Sequence, residues 1–197
     1  SSPRDLASAS TDVESVLEAA LEAGHASDAA LSSSLAQFRS LWALREDISE
    51  SQGAEGPAIK HDIALPIASV PAFIAETDAL IARHHPGLRM VVFGHLGDGN
   101  LHYNVSPPAG GMDKAAFSAL EGPLNRLVHD AVDAAGGSIS AEHGLGVLRR
   151  DEASRYKSPL EQRLMRTLKQ AFDPFNLMNP GKLLGPVTTS HREDSET

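Results

Sequence analysis

His95 and His102 bracket the segment Leu96-Gly97-Asp98-Gly99-Asn100-Leu101. Asp-Gly between two apolar runs is a strong hairpin signal. A turn centred on Asp98-Gly99 sets Leu96 opposite Leu101 and His95 opposite His102. Directly opposed residues carry Cβ atoms about 4.5–5.5 Å apart. The two imidazoles then fall side by side, with Asn104 on the same face. Two neighbouring neutral imidazoles are a start for a zinc or other divalent site. The same spacing also admits two surface histidines beside a loop, since a turn fixes register only loosely.

A second group is Ser140-Ala141-Glu142-His143-Gly144-Leu145-Gly146. The glycines allow close backbone approach. Glu142 is placed to supply a third ligand, giving a His₂Glu set with an open position for a substrate oxygen. His143 would be a free imidazole beside it, suited to general-base work. The alternative is a helix-capping Glu and an exposed His. A third group, Trp42, Arg45 and Ser49, follows i, i+3, i+7 spacing on one helical face, and Lys60 opens the next strand. Arg is suited to bidentate carboxylate recognition. A solvated charged face with a core Trp fits the same pattern. Gly94, Gly97 and Gly99 do not make a phosphate loop: no Gly-Lys-Ser/Thr follows, and the segment turns into a strand. Asn179-Pro180-Gly181-Lys182 reads as a C-terminal turn.

The elements that must position these groups are legible from hydrophobic period. Thr11-Asp12-Val13-Glu14 reads as a capping box opening a helix that stops at Gly24. A second helix is expected over residues 27–50, followed by a polar loop over 51–57. Residues 58–67 read as a strand, and Ser69 with Pro71 opens a helix ending at His84-His85-Pro86-Gly87. Strands follow over 88–96 and 101–105, then a helix over 113–135 kinked or split near Gly122-Pro123, then a short strand over 138–141. Ser158-Pro159-Leu160-Glu161 is a capping box opening a helix through Phe172. Residues 58–141 therefore read β-α-β-β-α-β. The expected fold is α+β, a ferredoxin-like split antiparallel sheet with extra flanking helices.

Composition narrows the function. The chain has 197 residues, no cysteine and 17 basic against 26 acidic residues, a net charge of −9. It is long enough for a core without covalent staples. The acid excess argues against nucleic acid as partner and against attraction to anionic membranes. Without cysteine, any metal must use His, Asp, Glu or backbone ligands. No basic n-region followed by an apolar h-region appears, and no run approaches about 18 apolar residues. The first residue is Ser1 rather than Met, which reads as a trimmed or excised piece.

Together the motifs resemble the C-terminal domain of FAD-linked oxidases of the vanillyl-alcohol-oxidase type. The similar branch holds D-2-hydroxyglutarate and D-lactate dehydrogenases and the glycolate oxidase subunit. The match is carried by Gly94-His95-Leu96-Gly97-Asp98-Gly99-Asn100-Leu101-His102-Tyr103-Asn104 and by Gly136-Gly137-Ser138-Ile139-Ser140-Ala141-Glu142-His143-Gly144-Leu145-Gly146. Phe172-Asp173-Pro174, Asn179-Pro180-Gly181-Lys182, Trp42 to Glu46 and Lys60 to Pro66 fit it too. The resemblance implies a divalent metal, usually zinc, on His95, His102 and Glu142, and His143 as base near the substrate hydroxyl. It implies Arg45, Ser49, Lys60 and Asn104 as substrate contacts, mainly to carboxylates, and Asn179 near the flavin.

On this resemblance, residues 1–184 are the substrate- and metal-binding domain and 185–197 a disordered tail. The expected activity is flavin-dependent oxidation of a small anionic D-2-hydroxy acid to the 2-oxo acid, passed on to an unidentified electron acceptor. FAD would be held mainly by an N-terminal domain that this chain lacks, so the chain alone is expected to be inactive. An apolar face left for that domain would favour self-association, hence a homo-oligomer. Ser1-Ser2-Pro3 would be the tail of a cut strand. The expected location is cytoplasmic or peripheral to an energy-transducing membrane. The rival readings are a His/His/Glu metallohydrolase and a non-catalytic interaction module.

Overall fold

The computed structural model describes residues 6–95 and 97–185. The tail from 186 onward and Ser1-Ser2-Pro3 lie outside them. The chain divides into two units, one ending at Glu55 and one starting at Gly56.

The first unit holds three helices, α1 (Leu6–Glu22), α2 (Leu35–Glu46) and α3 (Ile48–Glu55). α1 begins before the expected cap at Thr11, because Ala and Ser through Ser10 extend it and the Ser10 hydroxyl bonds Glu14 inside the helix. It ends as expected: Gly24 adopts φ +70° and His25 N–H reaches back to the Ala20 carbonyl at 2.8 Å, the Schellman closure. The single helix expected over 27–50 is shorter and broken. Asp28 binds the Ala29 N–H and Gln37 binds the Ser33 N–H, local bonds that compete with helix. Ser34 is the real cap, accepting from Gln37 N–H at 3.2 Å. α3 then occupies most of the segment expected to be a loop, with Gln52 buried. Trp42 is exposed rather than core, stacked on Phe38 and donating its indole N–H to Glu46 at 2.8 Å.

The second unit is built on a three-stranded antiparallel sheet: β1 (Ile59–Ala64), β2 (Arg89–His95) and β3 (Asn100–Ser106), in the order β1-β3-β2. Strand period two sorts its side chains. Ile59, His61 and Ile63 share a face with Leu101, Tyr103 and Val105. This face is buried with Phe73 and Ile81 of α4 (Val70–His84) and Leu124, Val128 and Val132 of α6 (Glu121–Ala134). The other face carries three rows: Lys60–Asn104–Val91, Asp62–His102–Phe93 and Ala64–Asn100–His95.

The helix expected over 113–135 splits at Leu120 into α5 (Lys114–Ala119) and α6, just ahead of Gly122-Pro123. Pro123 falls in the first turn of α6, where its missing N–H costs nothing. The last expected strand, over 138–141, is reduced to one antiparallel bridge between Ala64 and Ser138. The Ser138 hydroxyl bonds the Ser140 carbonyl at 2.8 Å, so a local side-chain bond replaces a ladder bond. α7 (Gly146–Tyr156) has no counterpart among the expected elements: only Ala153 in it is buried, so no apolar stripe marks it. α8 (Pro159–Phe172) opens on the expected capping box, with Ser158 and Glu161 each binding the other's N–H at 3.2 and 2.8 Å. Among the described residues no helix is long and apolar enough to cross a membrane.

Candidate metal and substrate site

The β2–β3 hairpin pairs His95 with Asn100 and His102 with Phe93. The expected His95–His102 opposition is therefore displaced by two residues. The last pair is His95–Asn100, so the strands stop pairing before a two-residue Asp98-Gly99 turn would require, with the Gly99 N–H bonded to the His95 carbonyl at 3.1 Å. Because the displacement is even, both histidines keep the same face. They become diagonal neighbours with ring centroids 6.1 Å apart. Gly99 holds the loop against β1. It adopts φ +76°, and a Cβ there would meet the Leu65 carbonyl oxygen at 2.0 Å. Its own carbonyl accepts the Leu65 N–H at 3.0 Å.

Glu142 reaches this face from the turn after the Ala64–Ser138 bridge. Its carboxylate lies 3.5 Å from His95 Nε2 and 3.8 Å from His102 Nε2. One ligand atom from each of His95, His102 and Glu142 falls within 4.8 Å of the others. Two imidazole nitrogens and a carboxylate suit a divalent cation. His95 and Glu142 are about half exposed, at 48% and 47%, so the set has an open side. His143 stacks beside His102 with ring centroids 6.1 Å apart and is exposed.

Asp62, buried in the central row, is absent from the residues that the sequence motifs single out. Its Oδ2 accepts the backbone N–H groups of Glu142 and His143 at 2.9 and 2.8 Å. Its Oδ1 accepts the Asn100 amide at 2.8 Å and lies 3.7 Å from His102 Nδ1. Burial alone would raise its carboxyl, but the His143 N–H, the Asn100 amide and the Glu142 N–H outweigh it and hold the group below its ordinary value. Burial lowers the His102 imidazole, against the opposing pull of Asp62 and Glu142. His102 thus stays in the neutral, ligating form to lower pH than an ordinary imidazole. The signal for Asp62 in the sequence is an acid two residues after Lys60, on the same strand face.

Lys60 is exposed and pairs with buried Asn104 in the neighbouring row. Arg45 lies in the last turn of α2 and Ser49 in the first turn of α3, both in the first unit, with a one-residue break at Asp47. Asn179 is exposed in the turn after α8 at φ +50°, its carbonyl accepting the Lys182 N–H at 3.2 Å.

Comparison with known proteins adds the family. Residues 2–183 match the family model described as FAD linked oxidases, C-terminal domain. The chain is 43% identical over 166 residues to the D-2-hydroxyglutarate dehydrogenase of Stutzerimonas stutzeri, covering 84% of this chain and 35% of that protein. It is 38% identical over 169 residues to the mitochondrial D-2-hydroxyglutarate dehydrogenase of Bos taurus, covering 85% of this chain and 29% of that protein. The enzyme of that name from Arabidopsis thaliana, also mitochondrial, is 36% identical over 172 residues, 87% of this chain and 29% of its own length. The chain thus spans about a third of the length of these relatives. Over nearly its whole length, the chain belongs to the FAD-linked oxidases as their C-terminal domain.

Proposed function

We propose that this chain is the substrate- and metal-binding domain of a flavin-dependent dehydrogenase oxidising a D-2-hydroxy acid to the 2-oxo acid. The observation that carries it is the convergence of His95, His102 and Glu142 on one partly open sheet face, with His143 alongside. These three residues would hold a divalent cation, zinc by the chemistry of the set. Such a cation, when bound, supplies positive charge that favours ionisation of a nearby hydroxyl. A flavin held by the rest of the parent polypeptide supplies the two-electron acceptor.

The chain's own residues align the substrate and move its proton. The Nδ1 of His143 faces Asp62 Oδ2 at 3.3 Å, so its Nε2 is the atom that takes the hydroxyl proton. Lys60 and Asn104 receive a substrate carboxylate. On the family resemblance alone, Arg45 and Ser49 would contribute further carboxylate contacts. Asn179 would lie near the flavin.

The test is dye reduction by the full-length parent enzyme with D-2-hydroxyglutarate and D-lactate. Chelation of the metal and His143→Ala should each abolish turnover. Arg45→Ala should raise KM more for the dicarboxylate than for lactate. Turnover untouched by chelation and by His143→Ala rejects the reading. Equal effects of Arg45→Ala on both substrates reject Arg45 as a dicarboxylate contact.

A further inference from the structure

We propose that Asp62 is the positioning carboxylate of this site: one oxygen ties down the turn carrying Glu142 and His143, and the other orients the His102 imidazole. The metal part of this inference rests on the function proposed above; the anchoring part does not.

Three stretches far apart in sequence meet at this one side chain. Asp62 comes from β1, Asn100 and His102 from β3, and Glu142 and His143 from the turn before α7. The Ala64–Ser138 bridge is the last regular pairing before that turn. Beyond it, the Ala141 N–H bonds the Asp62 carbonyl at 3.2 Å, and the next two N–H groups converge on the Asp62 carboxylate. So the same residue ends the ladder with its backbone and captures the turn with its side chain. A buried carboxylate is costly unless donors surround it. Here three N–H donors lie at 2.8–2.9 Å.

The second oxygen sets the imidazole. With the proton on Nδ1, His102 presents N–H toward Asp62 Oδ1 at 3.7 Å and leaves the Nε2 lone pair facing the Glu142 side. The opposite tautomer would aim a lone pair at a carboxylate and fill Nε2 with a proton. A carboxylate behind an imidazole favours the first form and so keeps the ligand atom free. Asn100, whose amide binds the same oxygen, is the strand partner of His95. Asp62 therefore touches, directly or through one neighbour, every member of the His₂Glu set.

The experiment uses the 197-residue chain with Asp62→Asn and Asp62→Ala. Amide hydrogen exchange at Glu142 and His143, and ¹⁵N shifts of the His102 ring, are read without metal. Zinc affinity is then read by chelator competition, with the visible spectrum of the cobalt(II) form as a second signal. Asp62→Ala should lose exchange protection at both amides. Asp62→Asn retains an oxygen for the two N–H groups and should keep that protection. It turns an NH₂ group toward His102, however, and should shift the ring proton to Nε2. Both variants should bind zinc about 10–100-fold more weakly. Thermal melts identify a variant that fails to fold, and the isosteric Asn variant carries the test if the Ala variant does. Unchanged amide exchange in Asp62→Ala overturns the anchoring. An unchanged His102 tautomer and zinc affinity in Asp62→Asn overturn the orienting role. Failure of the parent chain to bind zinc would sink the metal reading and the orienting role with it, while exchange still decides the anchoring.

Discussion

His61 and Asp62 are neighbours on β1 that point to opposite faces of the sheet, and each leads into a cluster of imidazoles and carboxylates. On Asp62's side lie His95, His102, Glu142 and His143. On His61's side lie His129, Glu152, Arg126, Arg149 and Tyr156. The inventories are alike, yet only the first suits a metal. In the second, His129 uses both ring nitrogens: Nδ1 contacts Glu152 at 3.1 Å and Nε2 accepts from Arg149 at 2.9 Å. Arg126 takes the other Glu152 oxygen at 2.7 Å and donates to the Tyr156 hydroxyl, which donates to Asp130. His61 donates its Nδ1–H to the Tyr103 carbonyl at 2.7 Å. Guanidinium groups neutralise this cluster from within, whereas the outer cluster meets imidazole with carboxylate and leaves its ligand atoms facing one another. What separates the two clusters is geometry: three ligand atoms converge in the outer one, while the inner rings are held by carboxylate, guanidinium and carbonyl partners.

The largest expected effect lies in the closed cluster and is read by pH. Burial pushes the His61 imidazole down to about 4, partly offset by its bond to Tyr103. His129 is lowered as well, chiefly by burial. In the unfolded chain both titrate near about 6.5. Between about pH 6.5 and 4 the unfolded state binds more protons, so folding stability falls as pH falls. Above that window both states hold neutral imidazole and the effect is absent. His61 alone should remove about 3 kcal/mol by pH 4, measured as urea unfolding free energy across the window. Asp62, a depressed carboxyl, contributes stability that is lost only below about pH 4. His61→Gln should flatten the slope between pH 6.5 and 4. A slope equal to the parent's would show that the closed cluster does not titrate as described.

The two clusters are also unequally legible in the sequence. The outer one is visible because its residues cluster in two short motifs, and strand period two keeps His95 and His102 on one face in any register displaced by an even number of residues. The displaced register is not legible, since loop length depends on how Gly99 packs against Leu65, a contact between distant segments. The pattern from Ser138 to Ala141 suggests a fourth strand because the Asp62 carboxylate that captures the next two N–H groups lies about eighty residues upstream. The closed cluster leaves no motif at all. His129, Arg149, Glu152 and Tyr156 lie on α6 and α7, and α7 has no apolar stripe to announce it. The α6 period is carried by its leucines and valines, which say nothing of the histidine buried among them.

The next effect tests the open cluster directly. His95→Ala and His102→Ala should each weaken zinc binding by more than about 100-fold, beyond what outer partners of a ligand usually cost. His129→Gln, on the other sheet face, should leave it within about twofold, as independent sites do. Binding by the parent should weaken in acid, as protons compete for the ligand atoms, with the His102 imidazole, lowered by burial, resisting protonation longer than an ordinary one. Chelator competition on the three variants reads all of this. Equal losses in the His102 and His129 variants would erase the distinction between the faces.

The smallest effect separates members of the open cluster from one another. His143 touches the Asp62 carboxylate and stacks on His102, but it is not among the three residues whose ligand atoms converge. Its removal takes away an exposed ring and no donor atom to the cation. His143→Ala should therefore change zinc affinity only on the scale of an exposed charged contact, about 0.2–1 kcal/mol. On the proposed function, the same variant should abolish turnover in the full-length parent protein, because the proposed proton acceptor is lost. Metal titration beside kinetics makes the contrast: affinity near parental with activity gone. A loss of affinity as deep as that of His95→Ala would make His143 a fourth ligand, and the open side of the cluster would then be closed by an imidazole rather than left to substrate.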